Sequence, residues 1–357
     1  MATRRAFLRS IGFAAAGSAL AGASPKASPK LSPTPGAGPR PLVKPRALKP
    51  GDTVGLVAPS SYVWDLWKFD EIAARLEGQL GLKSKLGKNV RARHGYMAGT
   101  EKERLEDLHG MFADPSIAAV FCLEGGYGTE RLLPGLDTGL IRKNPKIFLG
   151  YSDITGLHLA IAQKAGVVTF HGPVASSRLP AWTLASLKKA LFDAKPMGEL
   201  TNPPEEDAYS PAFPMHTVVP GRARGPTAGG NLTLVSTTMG TPWEIDAKGK
   251  ILLLEDTGEA PYRVDRMLTQ LKLAGKLADA AGVIWGTCTE CMPARSGFEI
   301  NLSMPELLDE ILGDIGKPVL AGLVFGHTKE KSTIPLGVEA ELDADAKKVT
   351  ILESATV

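Results

Sequence analysis

Short apolar runs recur along the chain, and most of them are followed by a stretch with helical periodicity. The runs predict buried β-strands because they are short and bounded by Gly, Pro, Ser or charged residues. These predicted strands cover residues 53–58, 117–123, 147–149, 167–170, 251–254, 282–285 and 318–324.

Between these runs, apolar residues recur three or four positions apart, which predicts helices packed on one side. The predicted helices cover residues 65–79, 184–192 and 305–312, begin near Thr100, Asp153 and Pro261, and include a short one at Arg131, Leu132 and Leu133. Thr100 and Glu103 have the spacing of a capping box, and Pro261 suits a first helical turn. Strands that alternate with helices predict an α/β fold with a parallel, doubly wound sheet.

The alternation is interrupted between Asp193 and about Ala223, where proline and polar residues dominate. We therefore predict an N-terminal domain over residues 51–195, an inter-domain connection over 196–223, and a C-terminal domain over 224–357. In the last of these, residues 337–342 and 349–352 have the pattern of a hairpin.

The first residues have the pattern of an export signal. Arg4 and Arg5 precede Phe7 and Leu8, and residues 11–23 form a short apolar segment that ends in Ala-Gly-Ala. This layout predicts a Tat-like signal peptide over residues 1–23, too short for a membrane span, and hence a periplasmic protein. Residues 24–50, rich in Pro, Ser, Lys and Gly, predict a disordered linker.

The composition is that of a globular protein, with 43% hydrophobic and 22% charged residues in a chain of 357. A net charge of +3 is too small to argue for nucleic acid binding. Three cysteines, Cys122, Cys288 and Cys291, are too few for a disulfide scaffold.

Ser152 occupies a tight turn between a predicted strand and a predicted helix. Gly150, Tyr151 and Ser152 separate the apolar run from a helix that begins at Asp153. A nucleophile suits this place because a helix N-terminus offers backbone N–H groups to an oxyanion. Ser152 and Asp153 are also favoured N-cap residues, so capping alone accounts for them equally well. The turn lacks the second glycine of the G-x-S-x-G pattern, since Ile154 stands there.

Three chemical groups follow predicted strands: Ser152, Glu255 and His327. In open α/β sheets, sites form outside the carboxyl ends of the strands, so these groups are candidates for one catalytic triad. Asp256 and Glu259 are alternatives to Glu255 as the carboxylate. His171 is the main rival to His327 as the base, whereas His158 lies inside a predicted helix and is expected to pack there.

Other chemistries have less support in the sequence. No HExxH motif or spaced His/Cys cluster points to zinc, and the glycine turn at residues 125–128 lacks the third glycine of a dinucleotide loop. We therefore expect neither a metal nor a cofactor. Cys288 and Cys291 form a single C-x-x-C that is either incidental or a disulfide formed after export, and Cys122 is expected to be a core thiol.

Several short motifs occur in an order that is more specific than any one of them. They are LEGGYGTERLL at 123–133, GYSD at 150–153, TFHGP at 169–173, GGNL at 229–232, LED at 254–256 with APYRVDR at 260–266, and GH at 326–327 with IPLG at 334–337. Together they resemble the LD-carboxypeptidase family of serine peptidases, over residues 50–352.

This resemblance implies a serine carboxypeptidase with Ser152 as nucleophile, His327 as base and Glu255 as the residue that orients it. Backbone N–H groups of Asp153, Gly125 and Gly126 would stabilise the oxyanion. It also implies a doubly wound N-terminal domain that carries the serine, a smaller C-terminal α/β domain that carries Glu255 and His327, an active site between the two, and a homodimer.

The expected activity is release of the terminal D-Ala from a murein tetrapeptide. Two alternatives stay open: an immunity-type peptidase that cleaves a toxic peptidyl-adenylate, and a non-catalytic binder of cell-wall peptides. A carboxypeptidase must recognise a free carboxylate, and Arg131, which follows the glycine turn, is the candidate for this contact, although a structural salt bridge is an equal alternative.

Two features depart from the family pattern. Leu123 and Glu124 stand where relatives often have a small residue and arginine, and relatives typically act in the cytoplasm on recycled wall peptides.

Overall fold

The computed structural model of the chain describes residues 42–204, 214–292 and 301–357. The strands are β1 (Thr53–Val57), β2 (Lys83–Leu86), β3 (Ile117–Cys122), β4 (Ile147–Gly150), β5 (Thr169–His171), β6 (Pro196–Leu200), β7 (His216–Val219), β8 (Arg222–Asn231), β9 (Ile251–Thr257), β10 (Gly282–Thr289), β11 (Val319–Ala321), β12 (Ile334–Leu336), β13 (Glu339–Asp343) and β14 (Lys348–Ser354). The helices are α1 (Lys68–Leu80), α2 (Glu101–Ala113), α3 (Thr138–Lys143), α4 (Thr155–Ala160), α5 (Ala181–Phe192), α6 (Leu232–Thr237), α7 (Pro261–Leu273), α8 (Lys276–Asp279) and α9 (Met304–Leu312). Two 3-10 segments (Glu130–Gly135 and Ser152–Ile154) and a π-helical turn (Ile161–Ala165) complete them.

The first sheet is six-stranded, in the order β12-β5-β4-β3-β1-β2. Its five strands from β5 to β2 are parallel, and β12 is antiparallel to β5. The order reverses direction between β1 and β3, so the loops after these two strands diverge and leave a crevice. This crevice is where an open parallel sheet binds its ligand, and the nucleophile candidate follows β4, next to β3.

Helices cover both faces of this sheet, as the doubly wound prediction requires. Leu56 and Phe121 share a core with residues of α1 and α5. Val57 and Val120 share a different core with residues of α2 and α4. The pattern follows from strand geometry, because successive side chains point to opposite faces.

The second sheet is eight-stranded, in the order β6-β14-β13-β8-β9-β10-β11-β7. Its centre, β8 to β11, is parallel, and the outer strands pair antiparallel. Leu252 and Leu254 pack with residues of α7 and α9 on one face. Leu253 and Ile284 face the other way, into the core shared with the first sheet. The two sheets are thus joined through a common apolar core.

The structure confirms several local predictions from the sequence. Thr100 caps α2 in a capping box with Glu103, because Glu103 N donates to Thr100 Oγ1 and Thr100 N to Glu103 Oε2. The predicted hairpin at the end of the chain is the β13–β14 pair. Cys122 is buried in β3 as a free thiol, and Cys288 and Cys291 form a disulfide at the end of β10.

The predicted linker extends too far towards the fold. Val43 forms a bridge with Val167, Leu48 is buried, and Ala47 N donates to Val357 O. Residues 42–50 are therefore packed on the domain, because a few apolar side chains between the prolines are enough to anchor an extended segment. The predicted signal peptide and residues 24–41 lie outside the described residues. Within the described ranges, no helix has the length and apolar content to cross a bilayer.

The prediction of a plain connection over residues 196–223 is wrong in part, because it contains β6 and β7. Each pairs at an edge of the second sheet, β6 with β14 and β7 with β11. The C-terminal segment in turn supplies β12 to the first sheet. Edge strands are held by backbone hydrogen bonds and need little apolar patterning, and Pro335 within β12 is tolerated at an edge for the same reason.

Candidate active site

Ser152 stands at the junction of β4 and the 3-10 segment that leads into α4, with a left-handed φ of +66°. A non-glycine residue in this region is strained and persists only where its surroundings hold it. The capping interpretation fails for Ser152, because the residue before the 3-10 segment is Tyr151 and Ser152 has no recorded capping hydrogen bond. The sharp turn is that of a nucleophile placed at the carboxyl end of a sheet strand.

Three predicted residues form one hydrogen-bonded series. His327 Nε2 lies 2.9 Å from Ser152 Oγ, and His327 Nδ1 lies 2.8 Å from Glu255 Oε2. Ser152 comes from the first sheet, Glu255 from β9 of the second, and His327 from the loop between β11 and β12. The two sheets therefore bring together residues that are up to 175 positions apart in the sequence.

Glu255 is fully buried between two imidazoles. Burial opposes its ionisation, but the neighbouring His171 and His327 outweigh this and lower the pKa of Glu255 to about 2. Close approach of His327 to this carboxylate needs Gly326, where φ is +85° and a Cβ would lie 2.2 Å from Glu255 Oε2. A charged carboxylate at this place stabilises a protonated imidazole and fixes its orientation.

The other two candidate carboxylates have different partners. Asp256 accepts from Asn231 Nδ2 at 2.8 Å and from the backbone N and side-chain Oγ1 of Thr233, both at 2.9 Å. It thereby ties the start of α6 to β9. Glu259 lies 3.5 Å from an Arg263 nitrogen. Glu255 is thus the one carboxylate among the three that contacts His327.

His171, the rival base, is directed at Glu255. Its Nε2 lies 3.6 Å from Glu255 Oε1, longer than a normal hydrogen bond, and the side chain is buried. Within the described part of the chain, neither ring nitrogen has a hydrogen-bond partner. His158 packs inside α4 as expected, where its Nε2 bonds to Gly150 O at 2.9 Å, and burial lowers the pKa of His158 to about 3.

The glycine turn after β3 lies against Ser152. A Cβ on Gly125 would approach Ser152 Cβ to 2.9 Å, and one on Gly126 would approach Ser61 Oγ to 2.2 Å. Ser61 N donates to Gly125 O at 3.1 Å, and Tyr127 N donates to Ser61 Oγ at 3.2 Å. The turn is therefore locked between the loop after β1 and Ser152, and only glycine fits at both positions.

Asp153 joins the same three loops through its buried side chain. Its Oδ2 accepts from Ser60 Oγ at 2.6 Å and from Thr129 N at 2.9 Å, and its carbonyl oxygen accepts from Thr129 Oγ1. From the sequence, only the backbone N–H of Asp153 was expected to take part, as a donor to the oxyanion. The side chain has a second task, because it fixes the nucleophile turn to the loops after β1 and β3.

Arg104 of α2 has a buried side chain that links two of the loops at this crevice. Its Nη1 donates to Pro59 O at 2.6 Å and to Gly128 O at 2.8 Å, and the side chain is 2% exposed. The sequence analysis missed it, because a charged residue in an amphipathic helix is normally on the solvent side. The sequence around Arg104 contains no pattern that would place its side chain beside the carbonyl oxygens of Pro59 and Gly128.

Arg131, the predicted carboxylate contact, forms an ion pair with Glu101. Its Nε lies 2.6 Å from Glu101 Oε1, and both side chains are more than two-fifths exposed. This contact matches the structural salt bridge that the sequence left open. A role in substrate binding remains a prediction for this residue.

Comparison with known families supports the motif assignment independently of the geometry. A model of the LD-carboxypeptidase N-terminal domain matches residues 54–172, and a model of the C-terminal domain matches residues 224–342. The chain belongs to the LD-carboxypeptidase family. The first matched region contains Ser152, and the second contains Glu255, His327 and the parallel centre of the second sheet.

Two curated members of the family illustrate the similarity. A probable murein peptide carboxypeptidase of Bacillus subtilis is 44% identical over 311 residues, which cover 87% of this chain and 94% of the relative. The murein tetrapeptide carboxypeptidase of Pseudomonas aeruginosa is 34% identical, over 82% of this chain and 93% of the relative.

Solved structures of LD-carboxypeptidase relatives have the same fold. The microcin C7 self immunity protein MccF aligns with a TM-score of 0.78 at 29% identity, over 88% of this chain and all of that chain. The muramoyltetrapeptide carboxypeptidase from Oxalobacter formigenes aligns with a TM-score of 0.70 at 30% identity, over 84% of this chain and 97% of that chain. The two-domain α/β architecture predicted from the sequence is confirmed.

Proposed function

We propose that this protein is a serine LD-carboxypeptidase that releases the terminal D-Ala from murein tetrapeptides. The observation that carries the proposal is the continuous series Ser152–His327–Glu255, with contacts of 2.9 Å and 2.8 Å. The names of its relatives supply the substrate class, since the family members in Bacillus subtilis and Pseudomonas aeruginosa are described as acting on murein peptides.

In the proposed reaction, Ser152 Oγ attacks the carbonyl carbon of the penultimate residue. His327 Nε2 takes the hydroxyl proton as the new C–O bond forms. When the tetrahedral intermediate collapses, the C–N bond breaks and His327 returns the proton to the amine of the departing D-Ala. Water then repeats the sequence on the acyl-enzyme, which frees the shortened peptide and regenerates Ser152. Glu255 stabilises the imidazolium in both halves.

The oxyanion would be held by backbone N–H groups of Asp153, Gly125 and Gly126. Two features support this assignment: Asp153 lies in the 3-10 turn that continues into α4, and Gly125 lies within van der Waals reach of Ser152. Preorganised donors of this kind stabilise charge that develops only in the transition state. They need no metal ion, so we expect activity in the presence of a chelator.

The leading alternative is an immunity-type peptidase, and the observation that favours it is the TM-score of 0.78 with MccF. The same serine-peptidase chemistry would serve both activities, so they differ only in the substrate that is cleaved. A competition assay with equal amounts of a murein tetrapeptide and a peptidyl-adenylate distinguishes the two activities. We expect alanine release to dominate, and preferential cleavage of the adenylate would replace the proposed substrate. The non-catalytic alternative has the least support, because all three triad side chains are present and in contact.

We also propose that the protein is exported to the periplasm by the twin-arginine route. The support is the sequence of residues 1–23, with Arg4 and Arg5 before a short apolar segment. Replacement of both arginines by lysine should leave the precursor in the cytoplasm, and the mature protein should begin near Ser24. Export of the variant at the parental level would contradict this route.

A homodimer is proposed from family membership. Sedimentation of the mature protein should give twice the monomer mass at micromolar concentration. A monomeric mass over the whole concentration range of the assay would contradict it.

A further inference from the structure

Lys331 is a buried cation beside the proposed triad. It lies in the loop between His327 and β12, and only 7% of the residue is exposed. Its Nζ is 5.4 Å from the centroid of the Tyr151 ring, and that ring packs edge-on against His327 at 4.9 Å. Tyr151 directly precedes Ser152, so the ammonium group is one aromatic ring away from both the nucleophile and the base.

Within the described ranges this ammonium forms no salt bridge, although the charges of Glu330 and Glu255 act on it from a greater distance. No carboxylate there lies within 4.0 Å of Lys331 Nζ, and Nζ forms no hydrogen bond with those residues. The two acidic groups in its neighbourhood are engaged elsewhere: Glu330 accepts from Thr183 N and Oγ1, and Glu255 lies between His171 and His327.

The stem of Lys331 is buried, whereas its ammonium nitrogen reaches solvent-accessible space and has no hydrogen-bond partner in the described ranges. Burial lowers the pKa of Lys331, and the charges of Glu330 and Glu255 oppose this shift. The Tyr151 ring offers only partial compensation, since a cation over an aromatic face gains about 0.5–2 kcal/mol. The arrangement is that of a site preorganised for an anion that the free protein lacks.

We propose that Lys331 binds the terminal carboxylate of the substrate and so restricts the enzyme to carboxypeptidase activity. The inference rests on the proposed function. His327 must protonate the departing amine, and the carboxylate of a terminal residue is two bonds from that nitrogen. The carboxylate therefore lies on the His327 side of the scissile bond, where the Tyr151 ring and Lys331 Nζ are located.

In this proposal Lys331 replaces Arg131 as the residue that contacts the substrate carboxylate. Arg131 is neutralised by Glu101 and half-exposed, so its attraction for a substrate carboxylate is shared and screened. Lys331 forms no salt bridge in the described ranges, and its side chain is largely buried. A carboxylate that enters would be desolvated at the same time as the ammonium gains a partner, which makes the contact strong and selective against a neutral amide.

The test compares a tetrapeptide that ends in D-Ala with its C-terminal amide. Lys331→Met keeps the length of the side chain and removes the charge. We expect kcat/KM for the free acid to fall about 10- to 100-fold, the loss of one charge-assisted contact, and kcat/KM for the amide to change less than about threefold. Lys329→Met is the matched control, since Lys329 is an exposed lysine of the same loop. It should retain the acid-to-amide ratio of the parent.

Thermal stability separates a binding role from a structural one. Removal of a charge that forms no salt bridge should leave the melting temperature of Lys331→Met equal to or above that of the parent. A lower melting temperature together with equal losses on both substrates would overturn the proposal. So would an unchanged acid-to-amide ratio in Lys331→Met, or a ratio abolished by Arg131→Met instead.

A binding measurement makes the result independent of turnover. In a Ser152→Ala background, calorimetry should show that Lys331→Met weakens binding of the free tetrapeptide about 10-fold or more and leaves binding of the amide unchanged. Equal binding of the acid with and without Lys331 would overturn the proposal. Failure of the parent enzyme to release alanine counts against the proposed function and this inference together, whereas an active parent with an unaltered Lys331→Met preference counts against Lys331 alone.

Discussion

His171 and His327 approach different oxygens of the Glu255 carboxylate, at 3.6 Å from Oε1 and 2.8 Å from Oε2. Only His327 also contacts Ser152. The buried carboxylate is therefore held between a catalytic candidate and a second imidazole that lies away from the nucleophile. This arrangement gives the two histidines different roles, which kinetics can separate.

His171→Phe should reduce kcat/KM by only about 10-fold, because it removes a neighbour of Glu255 but leaves the acid–base group in place. His327→Ala should reduce it by about 10³-fold or more, the usual effect of losing general acid–base catalysis. Steady-state kinetics with the murein tetrapeptide measure both. Equal losses in the two variants would return His171 to the position of a candidate base.

The strained backbone of Ser152 leads to a stability prediction. An L-residue at a φ of +66° is strained by about 1 kcal/mol, whereas glycine adopts this conformation freely. Ser152→Gly should therefore be more stable than Ser152→Ala by about 1 kcal/mol in urea unfolding, and both should be inactive. A Gly variant less stable than the Ala variant would show that the turn is not strained.

Gly326 should be irreplaceable for activity. Gly326→Ala places a methyl group 2.2 Å from Glu255 Oε2 and must displace His327 or the carboxylate. A shift of about 1 Å in a catalytic group costs roughly 100-fold in rate, so kcat should fall by at least that factor. Gly316→Ala is the matched control, because Gly316 also has a positive φ but no atom within 4 Å of its Cβ position. Similar kinetics in the two variants would contradict the close approach.

The buried His158 predicts a specific loss of stability in acid. Its pKa is about 3 in the folded protein and about 6.5 in the unfolded chain, so the unfolded state binds the additional proton between these values. The contribution of this residue to stability is therefore complete well above pH 6.5 and falls as the pH decreases towards 3, by about 3 kcal/mol at pH 4.5. His158→Met removes the titrating group. Urea unfolding at pH 7 and 4.5 should show a smaller acid effect in this variant, and an equal effect would contradict the assignment.

The sequence indicated Ser152, Glu255 and His327 as triad candidates because they share one property that can be recognised without a structure. Each follows an apolar run, and sites form at the carboxyl ends of such strands. The structure brings these places together although β4 belongs to the first sheet and β9 and β11 belong to the second. Glu255 and Asp256 were not separable in this way. Neighbouring residues of a strand point to opposite faces, and the sequence does not say which face meets the other domain.

The parts that could not be predicted depend on tertiary contacts. β6, β7 and β12 are edge strands whose pairing comes from backbone groups, so their side chains have little pattern. Arg104 and Lys331 are charged residues of a kind that normally faces solvent, and only the folded chain shows that both are buried. The packing of residues 42–50, the last third of the predicted linker, was missed because Pro, Ser, Lys and Gly dominate the composition of that segment as a whole.

If Ser152 is the nucleophile, cleavage at the terminal D-Ala should require its hydroxyl group. The most direct measurement is mass spectrometry of a murein tetrapeptide after incubation with the purified parent protein or with Ser152→Ala, in the presence of a chelator. We predict that the parent yields the tripeptide and free alanine and stops after one residue, while Ser152→Ala leaves the tetrapeptide intact. Alanine release at the parental rate by Ser152→Ala, or release that needs an added metal ion, would contradict this account.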